Sequence, residues 1–313
     1  MKDEFEVLNQ RTIANKIKAK GIGLHTGHEA IMTLKPAPEN TGIVFRRIDL
    51  DPVVEFKVSP QIVGETTLCT TIVNDTAGEL IKIATIEHLM SALAGVGIDN
   101  IYIELTSDEV PIMDGSASHF IFLLQSAGLH IQDAPKKFIR ILKPIKVENE
   151  KGGTAEFRPY EGYRLDFSIQ FEHPAFQETA ENMVLEFSCT SYFKEVSRAR
   201  TFGFMKDIEM LRARNLGLGA SLKNAIGLDE KGVMNAEGLR DKDEFVRHKI
   251  LDAVGDLYMI GHPIVGEFIA FKSGHALNNQ LLRAMLAQPD SYEFVSYEEG
   301  TEPYRYNSTK IAS

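Results

Sequence analysis

Along the first part of the chain, apolar and polar positions alternate in short runs. Gly21-Ile22-Gly23-Leu24-His25 and Ala30-Ile31-Met32-Thr33-Leu34 have the period of two expected of half-buried strands, and Pro36 and Pro38 close the second. The period then changes. Ile86, Leu89, Met90 and Leu93 recur at helical spacing, with Thr85 as N-cap and Gly95 and Gly97 as stops, which predicts a helix over residues 85–94. A strand at 98–105 and a helix at 116–127 follow. The polar, proline-bearing stretch Gln132-Asp133-Ala134-Pro135-Lys136-Lys137 interrupts the pattern and is the candidate linker. Strands are expected again at 138–142, 155–157 and 164–169. A long helix fits 243–260, its stripe made by Phe245, Leu251, Val254, Leu257 and Tyr258 and its end by Gly261 and Pro263. A strand at 266–271 and a helix at 276–287 complete the reading.

The two halves echo each other weakly. Each has strands, a helix with a histidine in its first turns (His88, His248), a strand and a further helix. This suggests two α+β layers, divided at 1–132 and 133–313, each giving a helix to a shared site.

Composition narrows the function classes. The 313 residues are 43% hydrophobic and 25% charged, which excludes wholesale disorder. Lys plus Arg (34) against Asp plus Glu (44) leaves −10, which argues against nucleic acid or an anionic membrane as partner. Any anionic substrate must therefore be met by local positive charge. The cysteines, Cys69 and Cys189, form no C-x-x-C pair, so a thiolate zinc cage is not available and a reducing compartment is the default. The first six residues are acidic and lack an apolar signal core, and the longest apolar runs are too short to span a bilayer. A soluble, cytoplasmic protein without a transmembrane segment is expected, with a monomer as its state.

Three of the nine histidines stand in chemically suggestive contexts. His248 and Asp252, four apart on a helix, share a face that Asp256 extends. The pair can hold two corners of a tetrahedral zinc site, or be an ordinary solvated pair. In Glu87-His88, neighbouring side chains point about 100° apart, so one can ligate while the other serves as general base at an open fourth position. A surface charge pair reads the same way. His275 lies in Lys272-Ser273-Gly274-His275-Ala276, before the last helix. To be a cation at a helix N-terminus it needs a carboxylate, and Asp256 is the candidate; the alternative is a capping loop histidine. Thr201, after the basic run Arg198-Ala199-Arg200, could donate to an oxyanion or simply end a strand.

Taken in order, several stretches resemble one family, the UDP-3-O-acyl-N-acetylglucosamine deacetylases, zinc amidases of lipid A biosynthesis in Gram-negative bacteria. The stretches are Gly21-Ile22-Gly23-Leu24-His25-Thr26-Gly27, Thr85-Ile86-Glu87-His88-Leu89, Gly97-Ile98-Asp99-Asn100, Pro111-Ile112-Met113-Asp114-Gly115-Ser116, Ser197 through Phe204, Phe245 through Ala253, and Lys272 through Asn279. The resemblance implies an α+β two-domain sandwich whose helices face each other, with one insert per domain. It implies Zn²⁺ held by His88, His248 and Asp252, Glu87 as general base, His275 as catalytic histidine and Thr201 as oxyanion donor. It also places Lys249 near polar groups of the substrate and makes Asp256 the carboxylate that orients His275. Phe171, Phe202 and Lys272 would line the nucleotide-sugar site. The insert near 204–235 would form an acyl passage, with Met205, Ile208, Leu216, Leu218, Ala220 and Leu222 as apolar surface and Gly217 and Gly219 allowing close approach. The implied reaction releases acetate from an amphipathic UDP-sugar. Two other readings compete: a zinc peptidase, which the missing His-Glu-x-x-His helix disfavours, and an inactive nucleotide-sugar-binding protein, which the intact set Glu87, His88, His248, Asp252 and His275 disfavours.

Overall fold

The computed structural model describes residues 7–76 and 78–304. The acidic start read above, residues 1–6, and the tail beyond Tyr304 lie outside the described residues.

In the first half a five-stranded sheet runs in the order Ile17–Ile22, Glu29–Pro36, Ile101–Leu105, Ile43–Arg47, Val54–Lys57. Its neighbours are antiparallel except Ile43–Arg47 and Ile101–Leu105, which run parallel. The register sets Met32 opposite Leu105 and Leu34 opposite Ile103, all four fully buried, while Tyr102 and Glu104 between them stay partly exposed. Period-two alternation has thus put one face in the core.

Six α-helical segments occur among the described residues: α1 (Glu87–Val96), α2 (Ser118–Ala127), the short α3 (Cys189–Ser191) and α4 (Ile208–Ala213), α5 (Glu244–Leu257) and α6 (His275–Leu286). In the second half a seven-stranded sheet is centred on Ile264–Phe271. That strand pairs antiparallel with Thr154–Arg158 and parallel with Tyr163–Ser168 and Phe138–Ile141. Phe157, Phe167 and Phe268 are buried on it, and one apolar cluster runs through both halves.

The mixed α+β architecture follows the sequence reading, and α1 lies between the halves. All ten of its residues are buried. Glu87, Ser91 and Gly95, four apart, form a narrow face. A side chain at Gly255 of α5 would strike the Glu87 carbonyl and the Ser91 amide, and one at Gly95 would strike the Tyr192 ring. Ser91 Oγ and the Tyr192 hydroxyl are 2.6 Å apart. Small residues thus bring α1 and α5 together nearly backbone to backbone.

Three local expectations are corrected. The strand expected at 21–25 is Ile17–Ile22 instead. The backbone N–H groups of His25 and Thr26 donate to the Glu109 carboxylate at 2.9 and 2.8 Å, which takes them out of any ladder. Thr85 is not a cap: its φ is +58° and its hydroxyl donates to Glu109 at 2.7 Å, so the helix starts at Glu87. Gly97, at φ +78°, does end it, with its N–H on Leu93 and Ala94 carbonyls. The candidate linker is built into the fold. Leu129–Pro135 is a strand paired with Asn9–Ile13, and the buried Lys136 ammonium donates to both Asp99 oxygens and the Gly97 carbonyl. Its partner strand lies more than a hundred residues upstream, so local composition carried no sign of it.

Candidate metal centre and active site

The approach of α1 to α5 sets His88 against His248 and Asp252. His88 Nε2 lies 3.4 Å and His248 Nε2 3.3 Å from Asp252 Oδ1, and all three residues are buried. It is the one grouping of three or more candidate metal ligands found among the described residues. The imidazoles meet edge to face, 5.0 Å between centroids.

The donor set suits a tetrahedral metal. Ligand bonds of about 2.0–2.1 Å separate tetrahedral ligands by roughly 3.3–3.4 Å, the spacing seen here. His248 Nδ1 is 3.0 Å from the Ala199 carbonyl, which fixes the proton on Nδ1 and leaves the Nε2 lone pair toward Asp252 and His88. Asp252 Oδ1 is buried without a hydrogen-bond partner among the described residues, while Oδ2 accepts from Lys249 Nζ at 2.7 Å. A buried, unsatisfied carboxylate oxygen facing two imidazole nitrogens is a poor arrangement without a cation. Burial holds the His248 imidazole down to about 3, so it is the neutral form that ligation needs. Burial opposes charge on Asp252, yet the surrounding imidazoles and Lys249 keep its carboxyl well below the usual range.

Beside this centre stand a buried carboxyl and a buried imidazole. Glu87 is 3% exposed, and burial pushes its carboxyl pKa up. Its Oε2 accepts the Thr70 backbone N–H at 3.0 Å, and its Oε1 is 3.9 Å from His275 Nε2. His275 opens α6, and its Nδ1 is 2.9 Å from Asp256 Oδ2. Burial works against the imidazolium, but the charge and hydrogen bond of Asp256 outweigh it and raise the pKa to about 9. Asp256 also accepts from Thr70 Oγ1 at 2.6 Å and Asn278 Nδ2 at 2.9 Å. The carboxylate partner sought for His275 from the sequence is therefore in place.

Two cavities lie beside this centre, one lined by Phe202, whose ring is 6.3 Å from that of His248, and one by Lys249, which donates to Asp252. One, of about 310 Å³ and mainly apolar, is lined by Thr201, Phe202, Met205, Ile208, Gly217, Ala220 and Leu222 together with Leu24, His25 and Leu68. The insert builds it around the strands Phe202–Phe204, Ile226–Asp229 and Gly232–Val233 and the helix α4. The other, of about 320 Å³, brings Lys249, Lys272 and Lys151 around Phe171. Phe171 packs edge-on to Phe202 at 5.6 Å, so the two cavities share an aromatic wall.

Most of the sequence-selected residues thus converge. Gly219 stands apart from the apolar cavity. Its N–H donates to the Leu24 carbonyl at 3.0 Å and a β-carbon there would lie 2.1 Å from the Gly23 carbonyl, so it docks the insert on the Gly23–Gly27 turn. Thr201 is fixed by its N–H on Gly115 and by Ile226 on its carbonyl, and it lines the apolar cavity. Sequence reasoning missed Thr70, Asn278, Glu109 and Lys151. Asn278 lies one turn after His275, a spacing that could have flagged it; Thr70, in an irregular segment, gave no periodic signal.

Comparison with known proteins adds to this geometry. A family model described as LpxC: UDP-3-O-acyl N-acetylglycosamine deacetylase matches residues 10–287. A UDP-3-O-acyl-N-acetylglucosamine deacetylase of Hydrogenovibrio crunogenus is 74% identical over 304 residues, 97% of this chain and 99% of its own length. Those of Alcanivorax borkumensis and Pseudomonas entomophila are each 56% identical, over 98% and 96% of this chain and 100% and 98% of their own lengths. No helix among the described residues is long and apolar enough to cross a membrane.

Proposed function

Since the chain belongs to the LpxC family of UDP-3-O-acyl-N-acetylglucosamine deacetylases, we propose that it hydrolyses the acetamide of UDP-3-O-(3-hydroxyacyl)-N-acetylglucosamine, releasing acetate and the free amine, as a zinc enzyme of lipid A biosynthesis. The observation that carries this reading is the convergence of His88 Nε2, His248 Nε2 and Asp252 Oδ1 beside the Glu87–His275 pair.

His88, His248 and Asp252 would hold the zinc, which when bound supplies Lewis acidity to the acetamide carbonyl and makes water more acidic. Glu87, with its carboxyl pKa pushed up by burial, takes the proton of the attacking water. Thr201 and Lys249 donate toward the oxyanion that develops on the former carbonyl oxygen. The leaving nitrogen must depart as an amine. His275, held as imidazolium by Asp256 with Nε2 directed toward Glu87, is the proton source. The lysine-lined cavity around Phe171 suits a diphosphate and a stacked base, and the apolar cavity suits the acyl chain. These local cations answer the net charge of −10. A monomer, a cytoplasmic location and a division near 132 belong to the same proposal, with the strand Leu129–Pro135 spanning the division.

The test is acetate release from the acylated UDP-sugar by metal-loaded protein, with metal content measured by mass spectrometry. One zinc per chain and release from the acylated substrate are expected. Metal-independent turnover, or none with stoichiometric zinc, overturns the reading.

A further inference from the structure

The segment ahead of α1 places one residue between the two carboxylates that flank His275. Thr70 is 2% exposed. Its backbone N–H donates to Glu87 Oε2 at 3.0 Å, its hydroxyl donates to Asp256 Oδ1 at 2.6 Å, and its carbonyl accepts the Ile86 N–H at 3.3 Å. Asp256 Oδ2 is shared by His275 Nδ1 and Asn278 Nδ2, each at 2.9 Å. A carboxylate can rotate and offer either oxygen. Asn278 and His275 both act on Oδ2, so the Thr70 hydroxyl is what distinguishes Oδ1. A 2.6 Å O–H···O⁻ contact in a buried site is a short charge-assisted bond, strong enough to fix that rotation.

We propose that Thr70 is a positioning residue for proton transfer: it locks both carboxylates at once, so that Asp256 Oδ2 faces His275 Nδ1 while Glu87 Oε1 faces His275 Nε2. The catalytic consequence rests on the function proposed above; the positioning itself does not. Glu87, Asp252, Asp256 and His25 are the ionisable groups that bear on His275 from the surrounding elements. Of these bonds, a side-chain substitution at Thr70 removes only the one to Asp256, because the backbone N–H still reaches Glu87. Thr70→Val keeps the shape and leaves Asp256 Oδ1 buried without its donor. The carboxylate is then held only through Oδ2, by His275 and Asn278, so it can swing about that oxygen and orients the His275 ring less firmly.

Metal-loaded Thr70→Val and Thr70→Ser proteins test this. Thr70→Val is expected to lower kcat roughly 10- to 100-fold, the cost of slight misplacement of a reacting group, with KM and metal content unchanged. Thr70→Ser, which keeps the hydroxyl, is expected to recover most of the rate. In parallel, NMR of the same samples reads the downfield Nδ1 proton that His275 shares with Asp256. It should move or broaden in Thr70→Val and return in Thr70→Ser. An unchanged Nδ1 resonance in Thr70→Val overturns the proposal at any rate, as does a Thr70→Ser protein as impaired as Thr70→Val. If Thr70→Val does not fold, Thr70→Ala carries the same comparison. Should the wild type release no acetate, the functional reading falls, and the NMR comparison still decides the role of Thr70.

Discussion

Gly255 of α5 lies against the Glu87 carbonyl of α1 so closely that a β-carbon at residue 255 would sit 2.0 Å from the oxygen. No rotamer relieves this, because the obstacle is backbone. The helices must part, and they carry His88 on one side and His248 and Asp252 on the other.

Gly255→Ala is therefore expected to cost about 1–3 kcal/mol of stability, the usual range for overpacking, and to weaken metal binding as well. Thermal unfolding and metal titration check this. Unaltered metal affinity in the folded variant would show that the donor geometry does not depend on the crossing.

Removing a ligand and removing the base should give different failures. His248→Ala is expected to abolish tight metal binding. Glu87→Ala should keep the metal and lose about 10²–10⁴-fold in turnover, the typical worth of a general base. Metal content measured beside acetate release separates the two; loss of metal from Glu87→Ala would make Glu87 an anchor of the centre.

The pH dependence follows from His275, whose pKa is raised to about 9. The imidazolium persists through neutral pH, so activity should fall as pH rises toward and through about 9. Asp256→Asn removes the main source of the raised value and should move that limb to lower pH. His275→Ala should depress turnover and flatten the limb. Stability follows the same sign. The folded value lies above the ordinary 6.5, so the contribution of the pair is complete below about 6.5 and is lost as pH rises through about 9. Rate and unfolding profiles at fixed ionic strength read both effects.

Ala220 and Gly219 are neighbours with different roles. Ala220 lines the apolar cavity, so Ala220→Leu should raise KM for a long-acyl substrate more than for a short-acyl analogue. Gly219 packs on the Gly23 carbonyl, so Gly219→Leu should unseat the insert and harm both substrates. Equal effects of Ala220→Leu on the two substrates would remove the acyl chain from this cavity.

Much of the site was legible because its residues sit on regular elements. The i, i+4 spacing of His248 and Asp252 survives intact on α5, and the strand-then-helix order placed α6 to within one residue. The acyl-passage reading of Gly219 missed its partner, because a glycine required by a carbonyl from the other half looks like any loop glycine. Thr85 fits a cap by type, and only the buried Glu109 carboxylate, 24 residues on, turns its hydroxyl away. The linker reading of 132–137 failed for a similar reason. A strand at the edge of a domain is polar on one side, and what distinguishes it from a tether is its pairing with residues 9–13. In each case the deciding partner is distant in sequence, and a single sequence records spacing but not proximity.

The ligand set also has a mechanical side. His88 belongs to one half of the chain and His248 and Asp252 to the other, so an ion held by all three ties the halves together as a cross-link would. It would close a long loop of chain and restrict the unfolded ensemble as well as serve the chemistry. Chelation should then lower the unfolding temperature, and the apo protein should gain protease sensitivity where α1 meets α5. An ion bound at His88, His248 and Asp252 would thus also be the rivet of the seam.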